Sequence, residues 1–244
     1  MAPLTSFGSE AQAIVVGAGG GIGGALVAQL LDDPCIASVE AWSRRPIASS
    51  HAKLRSVVLD ITDEVSLAEA AKAAGTPRLV VVATGLLHRD QMRPEKSWRE
   101  LNREQLLESF AVNAVGPLLV AKHLLPLFPR HEHAVFAALS ARVGSISDNQ
   151  LGGWYGYRAS KAALNQLIKT LSIELTRTRP KAIAVTLHPG TVDTGLSKPF
   201  QSNVPGERLQ SAAGAATHLL GVINGLTPAD TGALIAWDGQ RIPF

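Results

Sequence analysis

One cysteine, Cys35, is all the thiol this sequence holds, so no intramolecular disulfide can staple the fold and a reducing cytoplasm is the consistent compartment. Charge is scarce as well. Asp, Glu, Lys and Arg make up 18% of 244 residues, 23 basic against 20 acidic for a formal net charge of +3, which argues against disorder. The basic residues are scattered, and no run is long enough to form a nucleic-acid patch. A membrane span is missing too. Ala13 to Leu31 has the length and no charge, but six of its residues are glycine and no Lys or Arg precedes it, so it reads as neither a spanning helix nor a signal peptide. No metal site is expected, and no repeat, low-complexity tract or linker divides the chain.

What is present is apolar: 46% of the residues are hydrophobic, enough for one large core. Met1 to Gln12 reads as a short loose leader without periodicity, and residues 13–244 as one domain. Ala13–Val16 is an apolar run stopped by glycine, and helical spacing from Ile22 to Leu31 ends at Asp32-Asp33-Pro34. Brief Val/Ile-rich runs follow at Val39–Trp42, Val57–Leu59, Leu79–Val82, Ala134–Leu139 and Ile183–Leu187. Helix-like stretches separate them at Glu64–Ala74, Glu104–Leu127, Tyr157–Thr178 and Leu209–Ile223. That alternation predicts an α/β fold, a doubly wound parallel sheet of Rossmann type with helices on both faces, closed at the edge by Leu234–Trp237.

Three features carry chemistry. Tyr157 and Lys161, four residues apart, share one helix face, where a lysine ammonium is placed to lower the pKa of the phenol. Gly17, Gly21 and Gly23 lie between a strand and a helix, where glycines bring backbone N–H groups close to a pyrophosphate. Asn113 stands among apolar residues in a helical stretch that tolerates it indifferently. With Gly17-Ala18-Gly19-Gly20-Gly21-Ile22-Gly23 and Asn113, the sequence Tyr157-Arg158-Ala159-Ser160-Lys161 resembles the short-chain dehydrogenase/reductase family. Gly153 to Asn165, Gly144-Ser145-Ile146 and Ala236-Trp237-Asp238-Gly239 followed by Ile242-Pro243 resemble its C-factor (C-signal) and sniffer-type carbonyl reductase branch. The resemblance runs from about Ala13 to the C-terminus.

The resemblance implies NADPH-dependent reduction of a small-molecule carbonyl, with Tyr157 as general acid, Lys161 beside it and Asn113 in a water-linked proton relay. Asn113 would interrupt its helix to hold that water, and also admits the plain role of a polar-face amide. The family's fifth-strand serine would fall on Ala141, which leaves Ser140, with Ser145 as its rival. For the cofactor, Gly17, Gly21, Ile22 and Gly23 would meet the pyrophosphate. Ser43 and Arg44, standing where an NAD site has an acidic residue, would meet the 2′-phosphate of NADP. Asp60 and Ile61 would border the adenine, although Asp60 or Thr62 would equally cap the next helix. Gly85, Tyr157, Lys161, Pro189, Val192 and Thr194 would serve the nicotinamide end. Residues 195–206 read as a substrate lid, and residues 88–102 as either a pocket mouth or a surface loop with one packed tryptophan. Relatives pair through the helices holding Asn113 and Tyr157, which implies a homodimer or homotetramer. An NADP-binding signalling or regulatory protein of C-factor type is the alternative function.

Overall fold

The computed structural model of the chain describes residues 2–202 and 205–244. Met1, at the head of the expected leader, and Asn203 and Val204, within the expected lid, lie outside the described residues. Eight strands form the main sheet: β1 (Ala11–Val16), β2 (Ile36–Ser43), β3 (Leu54–Val58), β4 (Pro77–Val82), β5 (Ala134–Leu139), β6 (Ala182–His188), β9 (Leu234–Ala236) and β10 (Arg241–Ile242). Two short strands, β7 (Thr191–Val192) and β8 (Leu209–Gln210), pair with each other outside it. The order across the sheet is β10-β9-β6-β5-β4-β1-β2-β3, parallel throughout except for the antiparallel β9/β10 pair. The chain winds from β1 outward to β3, then returns to β4 on the other side of β1. The reversal opens a crevice beyond the carboxyl ends of β1 and β4, the usual ligand position in such sheets.

Among the described residues six helices flank the sheet: α1 (Gly21–Leu31), α2 (Glu64–Ala73), α3 (Arg103–Phe110), α4 (Gly116–Leu124), α5 (Tyr155–Thr178) and α6 (Ala212–Gly225). Neighbouring strand residues point to opposite faces and so feed two cores. Val15, Val81, Val135 and Val185 pack with Leu26 and Leu30 of α1 and Leu219 and Ile223 of α6. Ile14, Val16, Val80 and Phe136 pack on the other face with Leu67 of α2, Leu124 of α4 and Leu164 and Ile168 of α5. The central strands are apolar on both faces because both faces are covered. Arg103–Leu127 has the length and apolarity of a membrane span, yet Val120, Ala121 and Leu124 within it are buried against the sheet, as in a core helix.

Three expectations are corrected. Among residues 2–12 the leader is not loose: Leu4 and Phe7 are fully buried under α6, and the Leu4 N–H donates to the buried Asp33 carboxylate at 3.0 Å. The edge strand beyond Leu234–Ala236 is β10, formed when the chain turns at Gly239 and runs back antiparallel. Leu209 and Gln210 are strand rather than helix, because Thr191 and Val192 offer them a backbone partner, and α6 starts only after the Ser211 cap. The helical stretch Glu104–Leu127 is interrupted at Asn113, as the resemblance implies, by a π turn at Ala111–Val115.

Candidate active site

A cavity of about 700 Å³ fills the crevice. Its walls come from the ends of β1 to β4: Gly17, Gly19 and Gly20 after β1, Ser43 to Ile47 after β2, Asp60 and Ile61 after β3, and Ala83 to Leu86 after β4. Gly17 turns the chain sharply, with φ of 88°, and a Cβ there would come within 2.9 Å of the Ala83 and Thr84 backbone. A Cβ on Gly23 would lie 2.2 Å from the Gly17 carbonyl oxygen, and one on Gly21 2.6 Å from Thr194 Cγ2. These glycines allow strand, helix and the segment after β7 to meet at backbone distance. Ile22 sits between them, partly buried against the core.

The start of α1 differs from those of α2, α3 and α6. Asp63, Asn102 and Ser211 cap α2, α3 and α6 with side-chain oxygens, whereas α1 follows Gly20, which has none to offer. Its first N–H groups carry no side-chain acceptor, and Gly19 and Gly20 just before them line the cavity, so the positive end of the helix is available there to an anion. Thr84 Oγ1 is buried at the same wall with no partner among the described residues. Arg44 is exposed and lines the cavity. The Ser43 hydroxyl donates to the Arg45 carbonyl. Asp60 accepts from the N–H and hydroxyl of Thr62, which with nearby Arg44 and Arg89 holds its carboxyl below the usual range. The cap of α2 is Asp63, so neither Asp60 nor Thr62 takes that role.

The chemical side chains gather at the ends of β4 and β5. Tyr157 and Lys161 stand on the first turns of α5, with the Lys161 ammonium 5.8 Å from the Tyr157 ring centroid and donating to the Leu139 carbonyl at 2.8 Å. Asn113 is fully buried in the π turn; it accepts from Leu86 N–H at 2.7 Å and donates to the Leu86 carbonyl and the Ser160 hydroxyl at 2.8 and 3.1 Å. Gly85 closes the group, since a Cβ there would stand 3.9 Å from Asn113 Oδ1 and 4.0 Å from Lys161 Nζ. The expectation that Lys161 lowers the phenol pKa is not met. Burial pushes Tyr157 up to about 12 and Lys161 down to about 7, because desolvation disfavours both charged forms.

Neither candidate serine bonds to Tyr157 among the described residues. Ser140 donates to Asn165 Oδ1 on α5 at 2.8 Å, and Ser145 is shared between the Ser147 hydroxyl and the Asp148 N–H. Beyond β6, the Pro189 carbonyl accepts from Gln210 Nε2, Val192 is buried in β7, and Thr194 abuts α1. Sequence reasoning missed several partners: the Leu86 and Leu139 main chain, Ser160, Asn165, and the Arg89–Glu108 ion pair at the cavity wall. Ser160 lay inside the quoted motif; a main-chain carbonyl carries no residue-type signal. His88–Asn102 is more than a surface loop, because Glu95 is buried and its carboxylate accepts the Gly156 N–H of α5 at 3.1 Å.

A model of the short chain dehydrogenase family matches residues 11–205. The C-signal protein of Myxococcus xanthus is 33% identical over 146 residues, covering 59% of this chain and 82% of that protein. An uncharacterized oxidoreductase of Schizosaccharomyces pombe is 28% identical over 256 aligned positions, covering 94% of this chain and 96% of its own. Among solved structures, the NADPH-bound carbonyl reductase from chicken fatty liver superposes with a TM-score of 0.83 at 24% identity, over 97% of this chain and all of that one. The carbonyl reductase Sniffer of D. melanogaster gives 0.82 at 22% identity over 97% of this chain. At these identities the structural likeness is one of fold.

Proposed function

The chain belongs to the short chain dehydrogenase family, and from that premise we propose that it is an NADP(H)-dependent oxidoreductase that reduces an aldehyde or ketone to an alcohol. The observation that carries this is that Gly85, a wall of the glycine-rich cavity, packs against Asn113 and Lys161, with Tyr157 one turn before Lys161 on α5 and its ring 5.8 Å from the ammonium. The residues present fit the dinucleotide. Gly17, Gly21, Ile22 and Gly23 would hold the pyrophosphate, Arg44 the 2′-phosphate, with Ser43 contributing backbone, and Asp60 and Ile61 the adenine side. Gly85, Tyr157, Lys161, Pro189, Val192 and Thr194 would hold the nicotinamide end. When bound, NADPH supplies the hydride.

The rest is done by side chains. A phenol pushed up to about 12 stays protonated at neutral pH, so Tyr157 is a donor able to hydrogen-bond a carbonyl oxygen and pass it a proton. Lys161, pushed down to about 7, exchanges protons near neutrality and re-supplies that phenol. Asn113 fixes the Leu86 main chain and would hold the water that connects Lys161 to solvent. With the Ser140 hydroxyl committed to Asn165, polarisation of the carbonyl falls to Tyr157. Exposed Leu107, Val115 and Ile173 on α3, the π turn and α5 support association through these helices as a dimer or tetramer, which sedimentation checks.

The test is oxidation of NADPH by the purified protein against a panel of aldehydes, ketones and quinones. Turnover is expected, faster with NADPH than with NADH; a preference for NADH would overturn the cofactor assignment. A second reading, an NADP-binding signalling or regulatory protein of C-signal kind, is favoured by Ala141 at the strand end and by serine hydroxyls engaged away from Tyr157. Tight NADPH binding without turnover of any carbonyl would select it.

A further inference from the structure

A chain of aromatic rings ends on Tyr157. Trp154 packs edge-to-face against Tyr157 with centroids 6.2 Å apart, Phe200 against Trp154 at 5.1 Å, and His88 against Phe200 at 5.7 Å. Trp154, Phe200 and His88 come from three distant places: the turn that opens α5, the 3-10 turn Lys198–Phe200 after β7, and the loop after β4. None of the three belongs to either hydrophobic core, and all are half-buried. The fold does not need them there for its own packing.

Trp154 is held against steric preference. Its φ of 53° and ψ of 43° are left-handed, following Gly152 and Gly153 in the same region with φ of 65° each. A bulky side chain resists that conformation and keeps it only where its surroundings over-determine it. They do so here. The Trp154 N–H donates to the Glu95 carbonyl, its carbonyl accepts from the Arg158 N–H at 2.8 Å, and Arg158 Nε holds the Gly153 carbonyl at 3.0 Å. The buried Glu95 carboxylate fixes the second N–H of α5, that of Gly156. The indole is thereby locked beside the phenol. Phe200 is held differently: the hydrogen bonds around its turn, centred on Ser197, stay within residues 192–201, and among the described residues the one bond from Thr194–Gln201 to the rest of the fold comes from His88 Nε2, which donates to the Gly195 carbonyl at 3.1 Å.

Resting on the oxidoreductase reading, we propose that Trp154 and Phe200 form an aromatic clamp that selects carbonyl compounds carrying an aromatic ring on the C=O, aryl aldehydes and aryl ketones. Trp154 is the fixed wall, and Phe200 is the ring that yields to the substrate and closes on it. His88 braces Phe200. An aromatic pair in edge-to-face or offset geometry adds roughly two- to twelve-fold in affinity beyond the area it buries. Two such contacts give an aryl ketone about a ten-fold advantage over its saturated-ring counterpart.

Titration calorimetry with acetophenone and with cyclohexyl methyl ketone, on the protein alone and with NADP⁺, tests this. The wild type is expected to bind acetophenone about ten-fold tighter, and Phe200→Leu to bring that ratio toward one with NADP⁺ affinity unchanged. Phe200→Leu sits on a surface turn and spares the strained turn at Trp154. Equal affinities in the wild type, or a ratio that Phe200→Leu leaves intact, overturn the clamp. Ring preference in binding with no carbonyl turned over upholds the clamp and sinks the oxidoreductase reading. Turnover without ring preference sinks the clamp alone.

Discussion

The two sides of the crevice are made of opposite materials. On the side of β1 to β4 the shape comes from atoms left out: Gly17, Gly21 and Gly23 bring backbone against backbone or against Thr194 with no room for a methyl group. On the side of β5 and α5 it comes from polar atoms put in: Asn113, Ser140, Lys161 and Asn165 are all buried, and each finds a hydrogen-bond partner. A buried polar group that is satisfied rigidifies its surroundings, and one left unpaired is costly. The first side should therefore fail when an atom is added, the second when one is removed or recharged.

Removal has its largest effect at Tyr157. Tyr157→Phe deletes one oxygen and leaves the ring, so carbonyl reduction should fall by roughly a hundred- to ten-thousand-fold, with NADPH affinity little changed. Steady-state rates and a direct binding titration check both halves; a variant still turning over at wild-type rate would mean the phenol is not the donor. Recharging comes next. Lys161 titrates near 7 in the fold against an ordinary lysine value of 10.5, so between those values the unfolded chain binds more protons than the folded one. Stability from this group is fully present above the unfolded value and is lost as pH falls through about 7. Lys161→Met removes that dependence. Its melting temperature relative to wild type should be most favourable near pH 7 and decline steadily toward pH 10; a flat difference across that window would contradict a desolvated lysine.

Much of this architecture was legible beforehand, and what was not has physical causes. The central strands announced themselves because burial on both faces forces continuous Val and Ile, and α1, α2 and α5 because periodicity and breakers coincide. β8 and β10 are two residues each and exist only through distant partners, so no local pattern marks them. Leu4 and Phe7 look like a stray apolar pair until α6 is above them. Three acidic or hydroxyl residues crowd the start of α2, and only the backbone path selects Asp63 as its cap. At the site, the four-residue spacing of Tyr157 and Lys161 was readable, but depth was not, and depth decides the direction of the phenol's shift. The fixed indole of Trp154 was invisible for the same reason: a left-handed tryptophan is dictated by Glu95, far away in sequence.

Addition is the remaining half of the contrast, and one methyl group placed at two glycines separates site geometry from helix propensity. On Gly23 it would lie 2.2 Å from the Gly17 carbonyl oxygen and 2.8 Å from its carbon, main-chain atoms that cannot turn away. Gly23→Ala should therefore cost about 1–3 kcal/mol, as overpacking does, and open the turn that faces the anion site, so NADPH affinity should drop with the melting temperature. Gly221 lies in α6 with nothing within 4 Å of an added Cβ. There the methyl group meets no neighbour and only restricts the unfolded chain, so Gly221→Ala should stabilise by about 0.5–1 kcal/mol and leave cofactor binding as it was. Thermal melts of the two variants should move in opposite directions. Two shifts of the same sign would mean that the glycines after β1 are there for flexibility, and that the close approach of strand and helix is not what shapes this half of the crevice.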